Sequence, residues 1–134
     1  MTGEPPQSTP TRRFRPRHRL GRDLDYRAVF NARLRKGRGP MTVFARPNGL
    51  GYDRLGLSVG RKAGPATRRT RLKRLVRESF RLSRDRLPGG FDLIVNLRAH
   101  KPLPFERYRD LLVELCAAAA KEQARRDRKR EGSS

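Results

Sequence analysis

One cysteine, two histidines and 13 Asp plus Glu among 134 residues leave this chain little material for metal, redox or acid–base chemistry. Cys116 has no second thiol to pair with, and it lies one helical turn after Leu112 on an apolar stripe, where a free cysteine behaves as a small hydrophobe. Together with His18 and His100 alone it does not make a zinc ligand set. The scarce carboxylates are not clustered. Asp23 and Asp25 sit at a helix start, where acidic residues serve the cap and the dipole, and Glu78 is surrounded by arginines it can pair with. Neither histidine has a nucleophile at a useful spacing, so the residues give no catalytic site and no metal site. Long apolar runs are also missing. The longest, residues 111–120, is broken by Glu114 and falls well short of the ~20 residues that span a bilayer. With no signal peptide visible, the expectation is a cytoplasmic protein without a membrane segment.

What the chain has is positive charge. Its 34 Lys plus Arg give a formal net charge of +21 and a pI near 11.8, a self-repulsion that calls for a polyanion. Nucleic acid is the commonest partner of such a chain, and the excess of Arg over Lys favours bidentate phosphate contacts and stacking on bases. The charge is concentrated in residues 54–80. At about 100° per residue, residues 67–86 place Leu72, Leu75, Val76, Ser79, Phe80 and Leu82 in one arc and Lys73, Arg74, Arg77, Arg81 and Arg84 in the opposite one, with Arg69 and Arg71 at the borders. The apolar arc, Leu75 included, is expected to be buried; the basic arc is a rigid surface for phosphate.

The length suits one domain with loose ends. Residues 1–16, rich in Pro, Thr, Ser and Arg, read as a disordered basic arm, residues 17–124 as the domain, and residues 125–134 as a fraying basic tail. Within the domain, Asp23 is a candidate N-cap for a short helix ending near Ala32, with Tyr26 and Phe30 four apart on one face. They are either core aromatics or a stacking platform for bases. Residues 33–40 read as a Gly/Arg/Lys loop and residues 41–46 as a strand. In a second strand, residues 55–59, Leu55, Leu57 and Val59 share one face; Gly56 on the other leaves room for something to lie against it. Residues 60–64 bracket Arg61 and Lys62 with glycines, a possible phosphate clamp, and Pro65 suits the first position of the basic helix. Residues 91–97 form a buried strand, and Phe105, Tyr108, Leu111, Leu112, Leu115, Cys116 and Ala119 mark a final amphipathic helix. The residues thus spell α-β-β-α-β-α, with room for a further short strand that the sequence does not place, an α+β fold of helices on one small sheet.

The stretch RLGLSVGRKAGPATRRTRLKRLVRESFR, residues 54–81, resembles the strand, turn and "RNR" helix of the protein component of bacterial ribonuclease P. Weaker similarity runs through Arg19-Leu20, Asp25-Tyr26 and Val29-Phe30, then through residues 91–95 to the helix starting at Phe105, about residues 17–120 in all. Two departures stand out: Arg69-Thr70-Arg71 has Thr where the family has Asn, and Gly60 replaces the usual Ser before Arg61-Lys62. The resemblance implies an α-β-β-β-α-β-α order with a four-stranded mixed sheet and a left-handed crossover at the basic helix, against the usual handedness. It implies further that ribonuclease P RNA is the Mg²⁺-dependent ribozyme that removes the 5′ leader of precursor tRNA, and that the protein assists. Arg61, Lys62, Arg68, Arg69, Arg71, Lys73, Arg74 and Arg77 would then contact RNA, while Tyr26, Phe30 and Phe44 line a cleft for the single-stranded leader. Metal on the polypeptide and protein oligomerisation are not expected. The rivals are a general basic RNA-binding protein, which composition alone favours; a helix-turn-helix DNA binder, disfavoured because a strand precedes the basic helix; and a protein nuclease, disfavoured by the missing carboxylate cluster.

Overall fold

The computed structural model describes residues 16–132. The expected basic arm lies outside the described residues except for Pro16. In chain order the elements are α1 (Asp23–Asn31), β1 (Arg35–Arg38), β2 (Met41–Pro47), β3 (Arg54–Ser58), α2 (Ala66–Leu82), β4 (Phe91–Leu97) and α3 (Phe105–Gly132), with short 3-10 turns at Pro16–His18, Arg61–Ala63 and Arg84–Arg86. The strands form one mixed sheet in the order β1-β2-β4-β3. The first three are antiparallel neighbours; β3 runs parallel to β4, and α2 makes the crossover between them.

Alternation in β2 turns Met41, Val43 and Ala45 into the main core and Thr42 and Phe44 toward the opposite face. The central strand β4 is buried on both sides, which explains its unbroken apolar sequence. Helices α2 and α3 cover one face of the sheet. From α2 they contribute Leu72, Val76 and Phe80, from α3 Tyr108, Leu111, Leu112, Leu115, Cys116 and Ala119. Cys116 is a core thiol, and burial together with the Asp53 charge pushes its pKa above the ordinary value. Ser79 is buried too, and its hydroxyl donates to the Leu75 carbonyl at 2.8 Å.

Several local expectations are corrected. Residues 33–40 are not all loop, because β1 forms there although Arg35–Arg38 has no apolar residue to signal it. It is held by its hairpin register with β2 and by ion pairs of Lys36 with Glu122 and of Arg38 with Glu114, at 3.8 and 2.6 Å. Arg22, not Asp23, occupies the N-cap of α1. Asp23 is already helical and lies in the first turn, where its charge suits the dipole. Pro65 is the N-cap of α2 rather than its first residue, and α2 stops at Leu82, where the chain tightens into the 3-10 turn. Leu75 is only half-buried, at the rim of the core rather than within it. Helix α3 runs on past residue 124 to Gly132. Arg126 donates to the carbonyls of Ala32 and Arg33 at 3.1 and 2.8 Å, anchoring the tail to the end of α1, where Arg33 takes a left-handed φ of 54°.

Two buried carboxylates place β3. Asp53 accepts the backbone N–H groups of Gly89, Gly90 and Phe91 at 2.8–3.0 Å, tying the start of β3 to the chain entering β4. Asp92, fully buried, accepts both Nε and Nη2 of Arg54 at 2.7 Å and Asn48 Nδ2 at 2.9 Å. Arg54 and Asp92 are register partners, and that carboxylate raises the pKa of the guanidinium. Arg54→Ala strands a buried charge and should cost about 3–5 kcal/mol in chemical denaturation; a loss below about 1 kcal/mol would show the pair to be idle. Phe80→Ala should cost about 3–5 kcal/mol, and Leu75→Ala clearly less. Equal losses would contradict the rim position of Leu75.

Candidate nucleic-acid interface

The sheet's second face carries a cross-strand row of Arg35, Phe44, Ile94 and Gly56, and beside it Gly37, Thr42, Asn96 and Ser58. Helix α1 lies over the first row. Val29 joins Leu20 and Ile94 in a small second core, with Tyr26 and Phe44 packed against it. Phe30, 39 % exposed, meets Phe44 edge-on, with ring centroids 4.9 Å apart at 74°. The space left by Gly56 is filled by Tyr26: a Cβ there would come within 2.8 Å of the Tyr26 Cζ and hydroxyl. That hydroxyl accepts the N–H of Leu57 at 3.0 Å, and Leu20 N–H donates to the Leu55 carbonyl at 2.9 Å, so the outer edge of β3 is paired and closed. Tyr26 is therefore a seated wall of the cleft, while Phe30 and Phe44 offer ring surface. The three aromatics expected to act together are together. The next row, around Thr42, Asn96 and Ser58, is half-exposed and floors the cleft beyond the aromatics.

The cations divide by position around α2. Lys73 and Arg77 turn toward Tyr26 at the β3 edge of the cleft. With Arg19, Leu20, Tyr26, Leu55 and Leu57 they line a hollow of about 180 Å³. Arg71 and Arg74 are exposed on the helix, and Arg61 and Lys62 are exposed in the turn before it. A further hollow of about 300 Å³ is lined by Thr67, Arg68 and Arg71. Arg68 and Arg69 are committed in part to the protein itself. Arg68 donates through Nε to the Ala63 carbonyl at 3.0 Å and through Nη2 to that of His100; Arg69 Nε donates to Gly64 at 3.2 Å. Gly64, at φ 137°, lies so close that a Cβ would come within 2.6 Å of Arg68 Cδ, so this position requires glycine. Thr70 is exposed between its two arginines. Farther along, Glu78 pairs with Arg81 at 2.5 Å, which holds its carboxyl below the usual range.

Sequence reasoning missed several contributors. His18 is fully buried, 2.8 Å from Arg84 through its Nε2 and packed on Tyr52 and Phe80. His100 meets the Tyr108 hydroxyl at 2.8 Å. Arg84 is 66 residues from His18, and Tyr108 is eight from His100 but on the far side of a loop, so neither pair matches a helix or strand spacing. Arg19 reaches the cleft because residues 19–20 run alongside Leu55. Among the described residues no three His, Cys, Asp or Glu side chains gather in a metal-binding group, and no helix is long and apolar enough to cross a membrane.

The sequence model of the family described as Ribonuclease P matches residues 14–120. The chain is 42 % identical over 97 residues to the ribonuclease P protein component of Thermotoga maritima, covering 72 % of this chain and 83 % of that protein. To the one from Chromobacterium violaceum it is 42 % identical over 110 residues, covering 81 % and 88 %. The solved structure of the Thermotoga maritima RNase P protein superposes with a TM-score of 0.68 at 37 % identity, covering 73 % of this chain and 94 % of that one. A Staphylococcus aureus RNase P protein, 24 % identical with a TM-score of 0.67, shares the fold. Family match, relatives and fold agree, and this chain belongs to the family of ribonuclease P protein components.

Proposed function

We infer that this chain holds ribonuclease P RNA against the exposed cations of α2 and its preceding turn, and holds the single-stranded 5′ leader of precursor tRNA in the cleft between α1 and the sheet. Cleavage is the work of the RNA subunit and of the Mg²⁺ it binds; the polypeptide supplies position and countercharge. The observation that carries this reading is the shared hollow in which Lys73 and Arg77 flank Tyr26. It sets phosphate-binding charge beside an aromatic wall, as a single strand with stacked bases and a charged backbone requires. The relatives named above are ribonuclease P protein components, which supports RNA as the partner and tRNA 5′ maturation as the task.

Stacking and charge read no base in particular, so the cleft suits leaders of many sequences. The exposed Arg71 and Arg74, with Arg61 and Lys62, suit the ribozyme's phosphates. Neutralising RNA charge near the reacting phosphate lowers the Mg²⁺ concentration at which the ribozyme works.

The decisive experiment is 5′ processing of a precursor tRNA at low Mg²⁺ by a bacterial ribonuclease P RNA, with the protein, without it, and by the protein alone. Stimulation only when both are present is expected. Cleavage by the protein alone would make it a nuclease, and no stimulation would leave a general RNA-binding protein. Arg71→Ala and Arg74→Ala should each weaken holoenzyme assembly and reduce its salt slope by about 1, with no change in melting temperature; unfolding of either variant by circular dichroism would show that these side chains serve the fold. Phe30→Ala should weaken leader binding by ~1–3 kcal/mol while changing stability little. Tyr26→Phe, which strands the Leu57 N–H, should instead destabilise the protein by ~1–3 kcal/mol. The reverse assignment of effects in those two variants would refute the division between seated wall and open ring.

A further inference from the structure

The family match ends at residue 120, but α3 continues as a helix to Gly132, and its continuation is strongly basic. Lys121, Arg125 and Arg128 fall on one face of this extension. With Lys36 of the edge strand β1, Ala118 and Glu122 they line a groove of about 230 Å³, four cations to one carboxylate. The groove is built rather than incidental. Glu122 lies between Lys36 at 3.8 Å and Arg125 at 2.5 Å, and Arg126 fastens the same turn of helix to the carbonyls of Ala32 and Arg33 just after α1. The wall of the aromatic cleft and the floor of the basic groove are thus one clamped unit.

The two sites also adjoin through the sheet. Phe44 in the cleft is the register partner of Arg35, the exposed first residue of the edge strand β1. Lys36, next in sequence, faces the opposite side and enters the groove. A strand leaving the aromatics over Arg35 therefore rounds the sheet edge directly into the cations of α3. The α2 surface is at the other edge, beside β3, so these charges duplicate nothing there.

We propose that the groove between β1 and the C-terminal extension of α3 binds the backbone phosphates of the leader segment beyond the aromatic cleft, lengthening this chain's footprint on long single-stranded leaders. The proposal rests on the cleft being the leader site. The groove offers no aromatic side chain, so it grips phosphate without reading bases.

The test uses holoenzyme assembled from ribonuclease P RNA and either the full chain or its Lys36→Gln, Arg125→Gln, Arg128→Gln variant. Binding is measured against salt for precursor tRNAs with a leader just long enough to cross the cleft and with one extended well beyond it. For the long leader the variant should lose roughly tenfold in affinity and about 2 in salt slope, at ~0.7 per phosphate contact on a single strand, while the short leader is bound as before. Arg128→Gln alone should take about a third of the slope change. Melting temperatures confirm that both variants are folded. Equal losses for both leaders would overturn the leader assignment and move the groove to the ribozyme or the tRNA body; no loss for either would overturn the surface itself. Failure of the underlying cleft reading shows elsewhere, as wild-type holoenzyme that binds the short-leader substrate no better than mature tRNA.

Discussion

The placement of strand β3 beside β4 is the constraint on which the rest of this structure depends, and buried carboxylates enforce it. Parallel pairing cannot come from a tight turn, so the chain must leave β3, travel through α2 and return. Asp53 gathers the N–H groups of the returning chain, and Asp92 takes the fork of Arg54 across the strand pair. The crossover begins at Gly60, so the position of β3 is also the position of every cation on α2. A protein with this much positive charge uses two of its few acidic residues to decide where that charge is displayed.

The same strand fixes the aromatic side of the cleft. Its outer edge would expose unpaired N–H and C=O groups, but Leu20 and the Tyr26 hydroxyl take them up. Tyr26 reaches that edge only because Gly56 has no side chain. One glycine therefore links three levels: it lets a tyrosine seat beside Lys73 and Arg77, the tyrosine orients α1, and α1 presents Phe30 against Phe44. Through this packing Tyr26 has the cations of α2 on one side and joins Phe44 against the same small core on the other.

Much of this was legible beforehand, for identifiable reasons. Helices α2 and α3 announce themselves by period, β2 by alternation and β4 by an unbroken apolar run. The empty face at Gly56 was visible as a lack of side chains, although not what would fill it. Strand β1 was invisible because its stability comes from its hairpin partner and from ion pairs to α3 rather than from any apolar residue of its own. Leu75 was misplaced because a helical arc is wider than the stripe the neighbouring elements cover. The contacts of His18 with Arg84 and of Arg126 with Ala32 join residues 66 and 94 apart, and no local pattern encodes such distances. Arg68 has the sequence look of a phosphate ligand and in the fold serves two carbonyls, because guanidinium donors satisfy buried backbone as readily as RNA.

Charge segregation explains how a chain of net charge +21 remains folded while one of its surfaces stays strongly positive. Residues 54–77 contain no Asp or Glu, and the one carboxylate of α2, Glu78, pairs with Arg81 farther along the helix. Helix α3, in contrast, interleaves Glu106, Asp110, Glu114, Glu122, Asp127 and Glu131 with its bases. Of these, Glu114 and Glu122 are spent on the strand that would otherwise be least secure. Exposed pairs of this kind contribute little stability one by one. Their value lies in location: they temper the repulsion where α3 must lie close to the basic edge strand, and leave a net excess of cations in the groove there and on α2. A uniform spread of the same acidic residues would leave the net charge unchanged, weaken the field above α2, and remove the contacts that hold β1 in the sheet.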